Sequence, residues 1–148
     1  MGRCSPVVLA LATMVATSAL GQSPANLDRG LEQLVADYTG LYRKDTFDRW
    51  RTLFLPSFTV GSTTAEGGAT TRTLEQFLAA QARSFAESKD MGERLENVRI
   101  ERRGRIASVW ADFVFWYDGE TRRGRLVLLA IADQTGWRFQ SLLFSYHD

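Results

Sequence analysis

The stretch Ile106-Ala-Ser-Val-Trp-Ala-Asp-Phe-Val-Phe-Trp-Tyr117, closed by Asp118-Gly119, decides the fold of this chain. It is dominated by β-branched and aromatic residues, which favour a pleated strand, and it ends in a pair that suits the left-handed backbone of a tight turn. Segments of the same character flank it: Leu95–Arg103 on one side, Arg125–Asp133 and Trp137–Tyr146 on the other. The remaining breaks, Arg103-Gly104 and Thr135-Gly136, are also turn pairs. Four consecutive strands joined by tight turns make an antiparallel meander. None of them carries an obvious catalytic group.

Upstream the periodicity changes to that of helices. Leu27, Leu31, Leu34, Val35, Tyr38, Leu41 and Tyr42 recur at three- and four-residue spacing, which predicts a helix capped by Asn26 or Asp28. A break at Lys44-Asp45 leads to a short second helix capped by Asp45 or Thr46, with Phe47, Trp50, Leu53 and Phe54 on one face and Pro56 as its stop. Ser57–Ser62 alternates as a short strand, and Thr63–Thr71, with Gly67-Gly68, reads as a loop. Thr73 and Gln76 form a capping-box pattern for a third helix that runs through Phe77, Leu78, Ala82 and Phe85 to about Ser88. There are no internal repeats and no low-complexity linker.

With 148 residues, 45% hydrophobic and 24% charged, the chain is sized and composed for one globular domain. Its N-terminus is a separate object. Arg3 supplies a positive start, Val7–Leu20 is apolar and uncharged, and Ala19-Leu20-Gly21 is a small-x-small cleavage site, so residues 1–21 read as a secretory signal peptide and residues 22–148 as the mature domain. An anchoring helix is the alternative, but the run falls short of the roughly 20 residues that a bilayer span requires. Cleavage would remove Cys4, the one cysteine, and leave a secreted or periplasmic chain without a disulfide or thiolate metal site. It would also remove Arg3 from 18 basic residues and nothing from 17 acidic ones. A balance of 17 against 17 gives no global field for nucleic acid or an anionic membrane. The arginines at 94, 99, 102, 103, 105, 122, 123 and 125 cluster near two hairpins among Glu93, Glu96, Glu101 and Glu120, which fits solvated hairpin ends or an anion-binding rim.

The order helix, helix, strand, helix, four strands resembles the nuclear transport factor 2-like superfamily over nearly all of residues 27–148. That resemblance implies an α+β, cystatin-like cone: three N-terminal helices packed in a strongly curved, mixed but mostly antiparallel sheet, with a cavity at one end. Val109-Trp110-Ala111, Asp118-Gly119, Gly124 and the end strand Gly136-Trp-Arg-Phe-Gln-Ser141 look like the branch named for lumazine binding. Where that branch has histidine before its glycine, this chain has Arg122.

The ketosteroid isomerase group within the superfamily needs a carboxylate base, plus a tyrosine and a protonated acid for the oxyanion. Aligned by eye, Tyr38 falls at the tyrosine, Ser62 at the base and Leu129 at the acid. Serine is not basic near neutral pH without a partner and leucine cannot donate a hydrogen bond, so two of the three roles are vacant. Asp112 is the one carboxylate inside an otherwise apolar strand; on the cavity face it would be an acid or base, on the outer face a solvated or interface residue.

His147, the only histidine, is penultimate, and no Asp-x-Asp pair appears, so no metal and no cofactor is expected. Asp45 with Asp48 and Glu93 with Glu96 read as helix-cap and hairpin charges. Two functions remain, and a purely structural dimer with a collapsed cavity is not separable by sequence from the first of them. One is a non-catalytic module that holds a small apolar or aromatic ligand in a pocket of Tyr38, Tyr42, Trp50, Phe54, Ser62, Leu129 and Phe139, and that dimerises through the sheet. The other is a small isomerase, dehydratase or cyclase-type enzyme with Tyr38 as donor and Asp112 or Asp37 as acid or base. The vacant base and acid favour the first.

Overall fold

A computed structural model describes residues 22–64 and 66–147, so the segment read as a signal peptide lies outside the described residues. The chain runs α1 (Pro24–Gly40), α2 (Phe47–Trp50, a single turn between two 3-10 turns), β1 (Phe54–Thr63), β2 (Ala69–Thr73), α3 (Leu74–Glu87), β3 (Met91–Arg103), β4 (Ile106–Tyr117), β5 (Glu120–Asp133) and β6 (Gly136–Tyr146). Among the described residues, no helix is long and apolar enough to cross a membrane.

The predicted stripe of α1 is the buried one: Leu27, Leu31, Leu34 and Tyr38 all face the core. Its cap is earlier than predicted. Ser23 is the N-cap and accepts from Asn26 N, with Pro24 in the first turn, where a missing N–H costs nothing. Thr73 caps α3 through a complete capping box with Gln76, as the sequence pattern implies. The second helix ends before Pro56: β1 has already begun at Phe54, so the proline sits in a strand and terminates no helix.

Among the described residues, six strands form one open sheet in the order β2-β1-β6-β5-β4-β3, in which only β1 and β6 run parallel. The segment expected as loop up to Thr71 contains the start of β2, which pairs with Thr59–Thr63 of β1. β2 is an edge strand and is largely exposed, so it carries no hydrophobic alternation by which sequence could reveal it. The β3–β4–β5–β6 meander is the predicted one with longer arms. Its turns use Gly104, Gly119 and Gly136 at positive φ, and Asp118 also adopts positive φ.

The helices lie on one face of the sheet. α1 contacts β6 and β3, while α3 contacts β1 and β2. The Trp137 indole donates to Leu27 O at 2.8 Å and the Trp50 indole to Tyr38 O at 2.7 Å, which ties α1 to β6 and to the α2 turn. Both bonds are buried, where leaving either group unpaired would cost on the order of 1–3 kcal/mol. The inner face therefore carries Val109, Leu128, Phe139 and Phe58 in the core, and the outer face stays open.

Candidate functional site

The core does not fill the cone completely. Beyond the aromatic cluster of Trp50, Phe54, Phe58, Phe77 and Phe139, a cavity of about 370 Å³ opens between the C-terminal end of α1, α3 and the inner face of the sheet. Tyr38 and Tyr42, one helical turn apart, enter it from α1 and the residues just after it; Phe77 and Gln81 enter from α3. Tyr38 packs edge-on to Phe139 with 5.6 Å between centroids, and Tyr42 packs against Trp50 and Phe85 at 4.9 Å each. The Tyr42 hydroxyl donates to Gln81 Oε1.

The sheet supplies the rest. In β4 the odd-numbered residues point inward, and Phe113, Phe115 and Tyr117 line the cavity. Register then places Glu93 of β3 opposite Phe115, and Arg122 of β5 opposite Phe115 on its other side. Glu93, Phe115 and Arg122 thus form one row across three adjacent strands, all on the inner face. Phe113 can lie flat in the next row because Gly124 opposes it: a Cβ there would sit 2.4 Å from Phe113 Cζ and 2.3 Å from Ser145 O.

Glu93 is the unusual group. The residue is half-buried, yet its carboxyl Oε1 is shut away from solvent and has no hydrogen-bond partner among the described residues. Burial pushes its pKa from the ordinary 4.5 up to about 7, although the neighbouring Tyr38 phenol favours the charged form. Burial and the nearby Glu93 charge push Tyr38 and Tyr42 well above the usual tyrosine range, so both phenols are held protonated as donors. Tyr146, at the end of β6, is raised by burial and by Glu93, while Arg122 and Arg72 act in the opposite direction. The site has two electrical ends: an acid deep in the cavity and two arginines, with Glu120, at its mouth.

Of the residues expected in the pocket, Tyr38, Tyr42 and Trp50 line it. Phe54 and Phe139 lie in the packed core beside it. Ser62 and Leu129 are not in its wall. Ser62 shares a hydrogen bond with Thr70 across β1–β2, and Leu129 is 42% exposed, next to an outer-face groove bounded by Ile106 and Ile131. Asp112 is on the outer face because it is an even-numbered residue of β4. There it accepts from Asn97 Nδ2 at 2.8 Å and Arg125 Nε at 3.1 Å, and these bonds hold its carboxyl below the usual range. It has neither the position nor the basicity for chemistry in the cone. Asp37 accepts from Gln33 Nε2 in an exposed helical pair and is also outside the cavity wall.

Glu93 escaped the sequence reading because pairing it with Glu96 suggested a solvated hairpin. In the strand the two point to opposite faces: Glu96 binds Arg94 and Arg123 outside, and Glu93 is inside. No group of three or more metal-ligating side chains occurs among the described residues.

No family model and no curated protein matches this chain. Solved structures do, at the level of fold. A Novosphingobium aromaticivorans protein whose name proposes an aromatic ring hydroxylase superposes with a TM-score of 0.68 at 16% identity, covering 86% of this chain and 93% of its own. A Streptomyces avermitilis protein provisionally named a dehydratase of the nuclear transport factor 2-like family gives 0.68 at 13%, covering 85% and 99%. A Caulobacter vibrioides protein of cystatin-like fold without assigned function gives 0.64 at 18%, covering 82% and 90%. The chain has the nuclear transport factor 2-like, cystatin-like fold.

Proposed function

We propose that this protein is a binding module that holds a small molecule with an apolar, ring-sized body in its cone and engages a polar atom of that molecule with Glu93. The observation that carries this reading is the Glu93 carboxyl: one oxygen is enclosed and has no partner among the described residues, in a cavity whose wall includes the rings of Tyr38, Tyr42, Trp50, Phe77, Phe113 and Phe115. An unpaired enclosed polar atom costs roughly 1–3 kcal/mol, and a ligand hydroxyl or amide that donates to it removes that cost. The volume of about 370 Å³ falls in the range of small-molecule sites.

The test is a calorimetric titration with 2-naphthol, an apolar bicycle with one hydroxyl. Saturable one-to-one binding is expected, weakened about tenfold by Glu93→Leu, the order expected for one hydrogen bond to an ionisable group. No saturable binding, or equal binding to the variant, would refute the reading.

One observation favours a second reading, a proton-transferring enzyme of isomerase, dehydratase or cyclase type. With a pKa of about 7, Glu93 is divided between acid and base near neutral pH, beside the phenols of Tyr38 and Tyr42 as fixed donors. Glu93 would take the role that the sequence suggested for Asp112. Deuterium exchange at the acidic carbon of 2-tetralone separates the two: exchange with the native protein and none with Glu93→Gln would favour the enzyme, and no exchange with either removes it.

The same proposal includes self-association and export. The outer face exposes Ile106, Trp110, Leu129, Ile131 and Leu143, rimmed by charges of both signs such as Arg99, Glu101, Arg103 and Asp112. A mixed rim around an apolar centre suits a two-fold contact of this face with itself. Trp110→Glu should convert a dimer to a monomer in sedimentation, and a native monomer would end the idea. Export rests on the sequence of residues 1–21, and a mature N-terminus at Gln22 in a secreted or periplasmic fraction is the result it requires.

A further inference from the structure

The mouth of the cavity narrows the kind of ligand, on the reading that the cone binds a small molecule at all. We propose that the site takes a carboxylic acid: a ring-bodied compound whose carboxylate is held by Arg72 and Arg122 and whose far end carries a hydroxyl or oxo group toward Glu93.

The first argument is which arginines are already occupied. In the sheet, Arg94 and Arg123 share Glu96, Arg102 binds Asp28, Arg125 binds Asp112 and Arg138 binds Asp133. Four other sheet arginines, Arg72, Arg99, Arg103 and Arg122, have no carboxylate in ion-pair range among the described residues; Arg99 and Arg103 stand on the outer face, whereas Arg72 and Arg122 line the cavity. Arg72 is half-buried, so its guanidinium is partly withdrawn from water without an anion in exchange. Hairpin arginines that merely solvate a rim do not require this arrangement.

The second argument is placement. Arg122 lies on the inner face in the row that contains Phe115 and Glu93, two strand spacings from Glu93 or about 10 Å between backbones. That separation is on the scale of a two-ring body spanning Phe115. Arg72 comes from the opposite side. It sits on β2 opposite Val60, which is opposite Leu142 of β6, another wall residue. Both share a wall with Tyr146: the Arg122 guanidinium is 5.8 Å from its ring centroid, and Arg72 lines the same cavity. Among the described residues, Glu120 is the one acid beside them in the wall, which sets two cations against one anion there. Planar guanidinium forks match a planar carboxylate through paired charge-assisted hydrogen bonds.

The test titrates the native protein at pH 7 with 6-hydroxy-2-naphthoate and with 6-hydroxy-2-naphthamide, which share body and hydroxyl but differ in charge. The acid should bind about tenfold or more tightly than the amide, with a preference that shrinks as salt rises. Arg72→Gln combined with Arg122→Gln should bring the ratio near one by weakening the acid alone. Arg29→Gln, at an exposed position of α1 outside the cavity wall, should leave it unchanged. Equal binding of acid and amide to the native protein overturns the proposal and leaves the cone-binding reading standing; binding of neither overturns both. An acid preference that survives the double substitution overturns the assignment to these two arginines.

Discussion

Replacing Glu93 by glutamine should make the fold more stable at neutral pH, and the amount follows from the site. In the unfolded chain this carboxyl ionises near 4.5, and in the folded chain near 7, because burial disfavours its charge. Between those values the unfolded chain has released the proton and the folded chain has kept it. The stabilising contribution is therefore fully present below pH 4.5, is lost as pH rises, and stays lost above about 7. The 2.5 pH units between 4.5 and 7, at about 1.4 kcal/mol each, come to about 3 kcal/mol. Glutamine keeps the volume and remains neutral throughout. Native protein and Glu93→Gln should thus have equal stability near pH 4.5 and differ by about 3 kcal/mol at pH 8, or roughly 10 °C in midpoint for a domain of this size. Urea unfolding of both proteins across that range isolates the effect, since every other titrating group cancels in the difference. A difference that does not change with pH would refute the burial argument, and a variant less stable than native at pH 8 would show that Glu93 is charged and paired.

Other substitutions separate site from scaffold. Trp50→Phe should cost about 2–4 kcal/mol and weaken 2-naphthol binding, because it strands the Tyr38 carbonyl and removes a wall of the cavity; thermal unfolding and titration together check both. Gly124→Ala should be more damaging than Gly92→Ala in chemical denaturation. At Gly124 the new methyl meets the Ser145 backbone oxygen at 2.3 Å, whereas at Gly92 it meets the Trp116 ring, a half-buried side chain with room to swing outward. Asp112→Asn should leave 2-naphthol affinity unchanged in the titration, since its carboxyl bonds only to groups on the outer face.

The fold was legible where packing imposes a period. Leu27, Leu31, Leu34 and Tyr38 mark α1 because a helix that covers a sheet must bury one stripe, and the meander is marked by turn residues with positive φ. β2 left no such mark. Apart from Arg72 its residues are small and exposed, and it pairs along the free edge of β1. The cap of α1 moved to Ser23 because hydroxyl and proline together begin a helix well even with no apolar residue yet in register.

The site itself turns on strand parity, which a lone strand does not reveal. Before Asn97, the odd residues Glu93 and Leu95 of β3 face inward, opposite Phe115 and Phe113. At Asn97 the backbone takes a φ of +53° and the register slips by one residue, so that afterwards the even residues Ile100 and Arg102 face inward. The strand legible in the sequence begins only at Leu95, so Glu93 falls outside it, and its spacing to Glu96 reads as a charged hairpin end. In β4 both faces carry aromatic residues, so composition cannot say which one Asp112 occupies. The partner strand decides it. Arg125 stands opposite Asp112 and Arg123 opposite Val114, both outside, while Gly124 on the inner face makes room for Phe113. An acid inside the cone must alternate with apolar residues that also face inward, and among the described residues Glu93, between Met91 and Leu95, is the one strand carboxylate that meets that condition next to the tyrosines.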